Sequence, residues 1–178
     1  MTHILFIVGS LRAASASRAT ARALADRLGP DATASYVDIG ALPHYSADLA
    51  PVPAVETLIA QIRDADGVVF VTPEYNYGVP GVLKNAIDWA SRPAFDSVFA
   101  GRKCLVVTVS GGALGGVRAQ ADLKYTLNGM LAETFPCKEI VVPGASAKVV
   151  DGKLEDEAIL TFAGGILQDF LSWLETRR

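Results

Sequence analysis

Three stretches of this 178-residue chain gather side chains that suit ligand chemistry. The first is GSLRAASASR (9–18), where Ser10, Arg12, Ser15 and Ser17 stand at close spacing with Arg18 behind them. The stretch runs into an alanine-rich segment. Serine hydroxyls, an arginine and the free N–H groups of a helix start together suit a phosphate monoester. No G-x-x-x-x-G-K-[ST] is present, which disfavours a nucleoside triphosphate. The same residues would also serve as a serine-capped helix beside a solvated arginine.

The second stretch is TPEYNYGVPGVLKNAIDW (72–89), unusually aromatic and stiff for a loop. Pro73 and Pro80 restrict its two ends. Gly78 is expected to permit unusual backbone angles and Gly81 to allow close approach. Between the prolines, backbone N–H and C=O groups can meet a flat heterocycle, with Tyr75 and Tyr77 as aromatic walls. Glu74 has two readings: a general acid/base, or a carboxylate at a helix end or subunit interface. The third stretch is SGGALGGVR (110–118), whose glycines would let backbone hug a planar group or simply make a flexible connection. Ser110 and Arg118 are its polar ends.

These stretches need elements to bring them together. Ile4–Val8, Val68–Val71, Leu105–Val109 and Ile140–Val142 are nearly continuous apolar runs rich in β-branched residues. Such runs predict strands buried on both faces, as in a parallel sheet. Ala34–Ile39 is a weaker, edge-like strand. Helical spacing marks residues 16–28, the set Val55, Leu58, Ile59 and Ile62, and the set Val79, Val82, Leu83 and Ala86, with Pro80 in the first turn. It recurs at Leu123, Leu127 and Met130, and along Ile159, Phe162, Ala163, Ile166 and Phe170. Gly164-Gly165 interrupts that last helix at roughly 1 kcal/mol each, which close packing on a neighbour would justify.

Strict β-α alternation predicts a single α/β domain over residues 1–178, with helices on both faces of a five-stranded parallel sheet. The flavodoxin-like strand order 2-1-3-4-5 is expected. A dinucleotide-binding Rossmann sheet is the alternative, but Gly9-Ser10-Leu11-Arg12 is not its G-x-G-x-x-G. In such sheets ligands sit beyond the carboxyl ends of the strands, at the switch in strand order. The three stretches follow strands one, three and four. A phosphate cradle, an aromatic loop and a glycine loop on one rim fit a mononucleotide with a flat head, and FMN is the best match.

Composition closes off other classes. Hydrophobic residues make up 51% of the chain and the net charge is −3, with no basic run, so disorder and nucleic-acid partners are not expected. No stretch approaches the roughly 20 apolar residues of a membrane span. MTHILFIVGS reads as a strand, not a leader, and a cytoplasmic protein is expected. Cys104 and Cys137 lie at apolar segments without C-x-x-C spacing and read as structural thiols. His3 and His44 have no ligand-spaced companions, so no metal site is expected.

With these motifs in view, the chain resembles the NADPH-dependent FMN reductase family, which includes bacterial quinone, chromate and azo-dye reductases on the flavodoxin-like fold. The resemblance covers nearly the whole chain. GSLRAAS is similar to the family's phosphate loop, and DIGALPHYSADL (38–49) to its second-strand loop. TPEYNYGVPGVLKNAIDW is the most specific match. The resemblance implies that Ser10, Arg12 and Ser15 bind the FMN phosphate, with Ser17 where the family often has asparagine. It implies that Pro73, Glu74, Tyr75, Asn76 and Tyr77 line the flavin ring, largely through backbone groups, and that Ser110, Gly111 and Gly112 approach it.

The resemblance further implies a hydride from NADPH or NADH, passed through FMN to a quinone, azo dye or chromate in a two-electron, ping-pong cycle. The flavin carries the chemistry, with no catalytic side chain. A homodimer or homotetramer is implied, with LPHYSADL as the loop that closes a neighbouring subunit's site. The rival readings are a flavodoxin-type electron carrier and a non-catalytic flavin-binding protein.

Overall fold

The computed structural model describes residues 1–49 and 52–176. Its sheet is built on β1 (Thr2–Val8), β3 (Gly67–Pro73) and β4 (Lys103–Val109), which pair in parallel, with β2 (Ala32–Tyr36) on the outer side of β1. On the far flank β4 pairs first with β5 (Glu133–Thr134) and then with β6 (Ile140–Val142). The order is β2-β1-β3-β4-β5, as expected from the alternation.

Because side chains alternate across a strand, each central strand feeds two cores. Leu5, Ile7, Val68, Phe70 and Val106 face α2 (Pro53–Asp64), α3 (Gly81–Ala90) and α4 (Val117–Gly129). Ile4, Phe6, Val69, Val71 and Val107 face α1 (Ala16–Ala25) and α6 (Glu157–Glu175). Between β6 and α6 lie the short α5 (Ala145–Lys148) and the hairpin of β7 (Val149–Val150) and β8 (Lys153–Leu154). Among the described residues no helix is long and apolar enough to cross a membrane.

Local differences from the sequence reading have physical causes. The second strand runs over Ala32–Tyr36 and stops short of Ile39, because the Asp38 carboxylate accepts from the Gly40 N–H and turns the chain. The fifth strand position is shared. Phe135 N–H still donates to the Cys104 carbonyl, then Pro136, which has no N–H, ends that ladder before Ile140 resumes it. The buried Gln120 amide donates to the Ile140 carbonyl at 2.9 Å beside this gap. The first helix ends at Ala25, not at residue 28, and Pro80 is the N-cap of α3 rather than within its first turn.

In α6, a Cβ on Gly164 would come 3.3 Å from Arg27 Cδ, whereas one on Gly165 would meet nothing within 4 Å. Close packing therefore accounts for only one of the pair. The short β5, α5 and the β7–β8 hairpin lack the length and periodicity that single out an element in sequence. Cys104 is buried in the core with its thiol donating to the Arg102 carbonyl, and burial pushes its pKa up to about 12. Cys137 is half-buried and also raised by burial. Neither favours a thiolate.

The tightest glycine in the sheet is Gly67, opposite Ile4, where a Cβ would fall 2.9 Å from Leu174 Cδ1 and Phe170 Cζ of α6. Gly67→Ala is therefore expected to lower the unfolding free energy by about 1–3 kcal/mol through overpacking. Equilibrium urea denaturation checks this, and an unchanged midpoint would mean that α6 yields freely.

Candidate functional site

The carboxyl ends of β1, β3, β4 and β6 open on one rim. After β1 the chain crosses against β3: the Gly9 N–H donates to the Val71 carbonyl, and a Cβ on Gly9 would sit 2.9 Å from Thr72 Cβ. Only glycine allows this approach. Ser15 then caps α1, its hydroxyl accepting from the Arg18 N–H at 3.3 Å. Ser10 is 4% exposed and Ser17 2%, and neither hydroxyl has a partner among the described residues. The first-turn N–H groups of α1 lack intrahelical acceptors, and no acidic residue stands among them.

The loop after β3 is a two-residue hairpin. Tyr75 and Gly78 exchange backbone hydrogen bonds of 3.1 Å each, and the central residues Asn76 and Tyr77 have φ of 49° and 69°. This is type I′ geometry, which asparagine tolerates and tyrosine resists. The unusual angles expected at Gly78 thus belong to the two residues before it. Gly78 instead makes room for Asp122, whose Oδ2 would lie 3.1 Å from a Cβ there, and nothing crowds Gly81.

Two carboxylates hold the hairpin to α4. Asp122 accepts from the Val79 N–H at 3.0 Å. Glu74 accepts from the N–H groups of Arg118 and Ala119 at 3.0 and 3.1 Å, at the start of α4, where the helix dipole favours an anion. The Arg118 guanidinium lies 4.5 Å above the Tyr77 ring. Of the readings for Glu74, the structure selects the carboxylate at a helix end.

The rest of the same stretch does different work. On α3, Asn85 accepts from the Tyr45 N–H and donates to the Pro43 carbonyl, and the Trp89 indole donates to that carbonyl as well. Tyr45 packs edge-on against Trp89. The LPHYSADL segment is thereby fastened to α3 of its own chain.

In the loop after β4, Gly115 and Gly116 have φ of 63° and 89° and press on Val141 and Thr108, so they turn the chain into α4. Ser110 and Gly111 face the rim. The Ser110 hydroxyl accepts from the Gly112 N–H, and its carbonyl from the Ala145 N–H, which ties this loop to α5.

One cleft joins these parts. Ser10, Arg12, Ser15 and Ser17 form one wall, Pro73, Glu74 and Tyr75 another, and Ser110 and Gly111 a third. Asn76, Tyr77 and Gly112 do not line it, and Tyr77 is 70% exposed. Sequence reasoning missed Ser146 and Ala145, which close the cleft from α5. The signal was available in Gly144-Ala145-Ser146, which follows the last buried strand as the other loops follow theirs. No histidine or cysteine lines the cleft. Serine hydroxyls free to donate, a guanidinium and a helix start make a donor-rich end that fits a phosphate. The rigid turn at Tyr75 gives a wall for a flat group, so the residues fit FMN.

Comparison with known proteins agrees with this geometry. The model of the NADPH-dependent FMN reductase family matches residues 2–147. A quinone reductase of Pseudomonas putida is 38% identical, over 98% of this chain and 96% of its own. A 2-hydroxy-1,4-benzoquinone reductase of Burkholderia sp is 36% identical, over 98% and 97%. The flavoenzyme NAD(P)H:(acceptor) oxidoreductase of Paracoccus denitrificans superposes with a TM-score of 0.89 at 32% identity, covering 99% of this chain and 98% of that one.

If Glu74 fastens the aromatic turn to α4, Glu74→Ala strands two helix-end N–H groups and should lower the unfolding free energy by about 1–2 kcal/mol. Glu74→Gln, which keeps an acceptor, should lose less. Chemical denaturation of both variants tests this, and wild-type stability in Glu74→Ala would show that the turn stands without it.

Proposed function

Because this chain belongs to the NADPH-dependent FMN reductase family, we propose that its three-walled cleft holds FMN and serves two-electron transfer from NAD(P)H to a quinone. Ser10, Arg12, Ser15 and Ser17 bind the phosphate in this reading. Backbone groups from Pro73 to Tyr75 edge the flavin ring, and Ser110 and Gly111 approach it from the other loop. The observation that carries the reading is the pair of largely buried serines, Ser10 and Ser17, which line the end of the cleft beside the α1 N-terminus with no hydrogen-bond partner for their hydroxyls among the described residues.

FMN, held by these residues, would supply two-electron redox chemistry between a reduced nicotinamide and the acceptor. The chain's own part is binding, orientation and exclusion. The serine hydroxyls donate to the phosphate and Arg12 offsets part of its charge. The Tyr75–Gly78 hairpin, fixed by Glu74 and Asp122, presents backbone that need not reorganise when a ligand arrives. The quinone reductases among the relatives support a quinone as acceptor; azo dyes and chromate belong to the same reading as alternative acceptors. So do a cytoplasmic location and a homodimer or homotetramer in which LPHYSADL reaches the neighbouring site.

Titration of apoprotein with FMN and riboflavin tests the assignment. FMN should bind more tightly, and Arg12→Ala should weaken FMN by about tenfold to a hundredfold, the loss of one charged hydrogen bond. Equal affinity for riboflavin, or an unchanged dissociation constant in the variant, overturns the phosphate site.

Donor and acceptor, entering by the same open side of the cleft, should take turns. Initial NADPH oxidation rates at several fixed quinone concentrations should give parallel double-reciprocal lines. Intersecting lines would require a second place for the acceptor.

A further inference from the structure

Beyond the phosphate end, the cleft continues into a second groove between α1 and residues 145–152. The two share Arg12, Ser15, Ala145 and Ser146, so a ligand can run from one into the other. Arg18 and Arg22 line the new groove with Arg12, the rest of its wall is alanine, serine, valine and glycine, and no acidic residue lines it. None of these three guanidinium groups has a hydrogen bond or ion pair among the described residues, whereas Arg27 and Arg118 each face a glutamate.

Arg18 and Arg22 are one turn apart and lie on the same side of α1. Three like charges around one concavity repel one another unless an anion bridges them. In a chain of net charge −3 they form a local field that gathers anions. Guanidinium forks also meet phosphate oxygens two at a time.

A flavin phosphate held by the serines and Arg12 leaves Arg18 and Arg22 without a hydrogen-bonded acceptor among the described residues, Arg22 acting only electrostatically on the Tyr36 hydroxyl. Resting on the FMN-dependent reading above, we propose that this groove takes the 2′-phosphate-bearing adenosine half of NADPH, and that Arg18 and Arg22 set a preference for NADPH over NADH. A dinucleotide whose nicotinamide lies over the flavin must run its diphosphate and adenosine out of the cleft. The hollow on the opposite side of Arg18 is a poorer exit, because it contains one arginine and is lined by Asp38.

The test uses FMN-loaded protein, with Arg18→Gln and Arg22→Gln singly and together. Arg63→Gln, near the amino end of the sheet, controls for net charge. Calorimetric titration with 2′,5′-ADP and 5′-AMP reads the groove without turnover. The wild type should bind 2′,5′-ADP more tightly, and the double variant should lose about tenfold or more of that affinity, with FMN binding unchanged. In steady state the KM for NADPH should rise while kcat and the NADH parameters stay as in the wild type.

Equal affinity for the two adenosine nucleotides, or a double variant that still discriminates, overturns the proposal. FAD binding tighter than FMN binding, lost in the double variant, would assign the groove to the flavin's own adenylate and overturn it too. Protein that binds FMN and oxidises both nucleotides alike fails this inference alone. Failure to bind FMN at all sinks the functional reading and this inference with it.

Discussion

Strands β1, β3 and β4 are covered on both faces, so their backbone N–H and C=O groups have only one another's ladders to pair with. Parallel pairing then directs all their carboxyl ends to one side. The loops that leave from there are neighbours whatever their distance in sequence. The serine-rich loop, the aromatic hairpin and the glycine loop share a cleft for that reason. Gly9 shows how strict the condition is: the first loop has to graze Thr72 on its way out, and any side chain would block it.

On this rim the charges are divided between two tasks. The carboxylates turn inward: Glu74 and Asp122 bind backbone N–H groups and fasten the hairpin to α4. They make a strained turn persist, with Asn76 and Tyr77 in backbone regions that cost of order 1–3 kcal/mol each. The arginines near α1 turn outward and remain without protein acceptors. An acidic protein thus keeps a cationic edge beside its cleft.

The 72–89 stretch separates into two mechanical parts. Its first half forms the wall of the cleft. Its second half, through Asn85 and Trp89, grips the backbone of residues 43–45. A cleft wall at Pro73–Tyr75 and a scaffold clamp therefore lie on one continuous piece, with Pro80 at the joint between hairpin and α3.

Sequence alone determined the strand order, the rim and most of the cleft. Two-sided burial leaves an unbroken apolar run, and loop chemistry is local: Ser10, Arg12, Ser15 and Ser17 could be read together because they lie within one loop. Periodicity also placed α2, α3, α4 and α6. The tertiary structure alone decided what depends on residues distant in the chain. Glu74 finds its partners at 118 and 119, Asp122 reaches back to 79, and Ser146 closes a cleft begun at Ser10. Positive φ at Asn76 and Tyr77 carried no glycine to announce it, since these contacts, not residue type, hold the turn. The convergence of Arg12, Arg18 and Arg22 on one groove was likewise invisible, because a side chain's partners, or its lack of them, are fixed only when the whole surface is assembled.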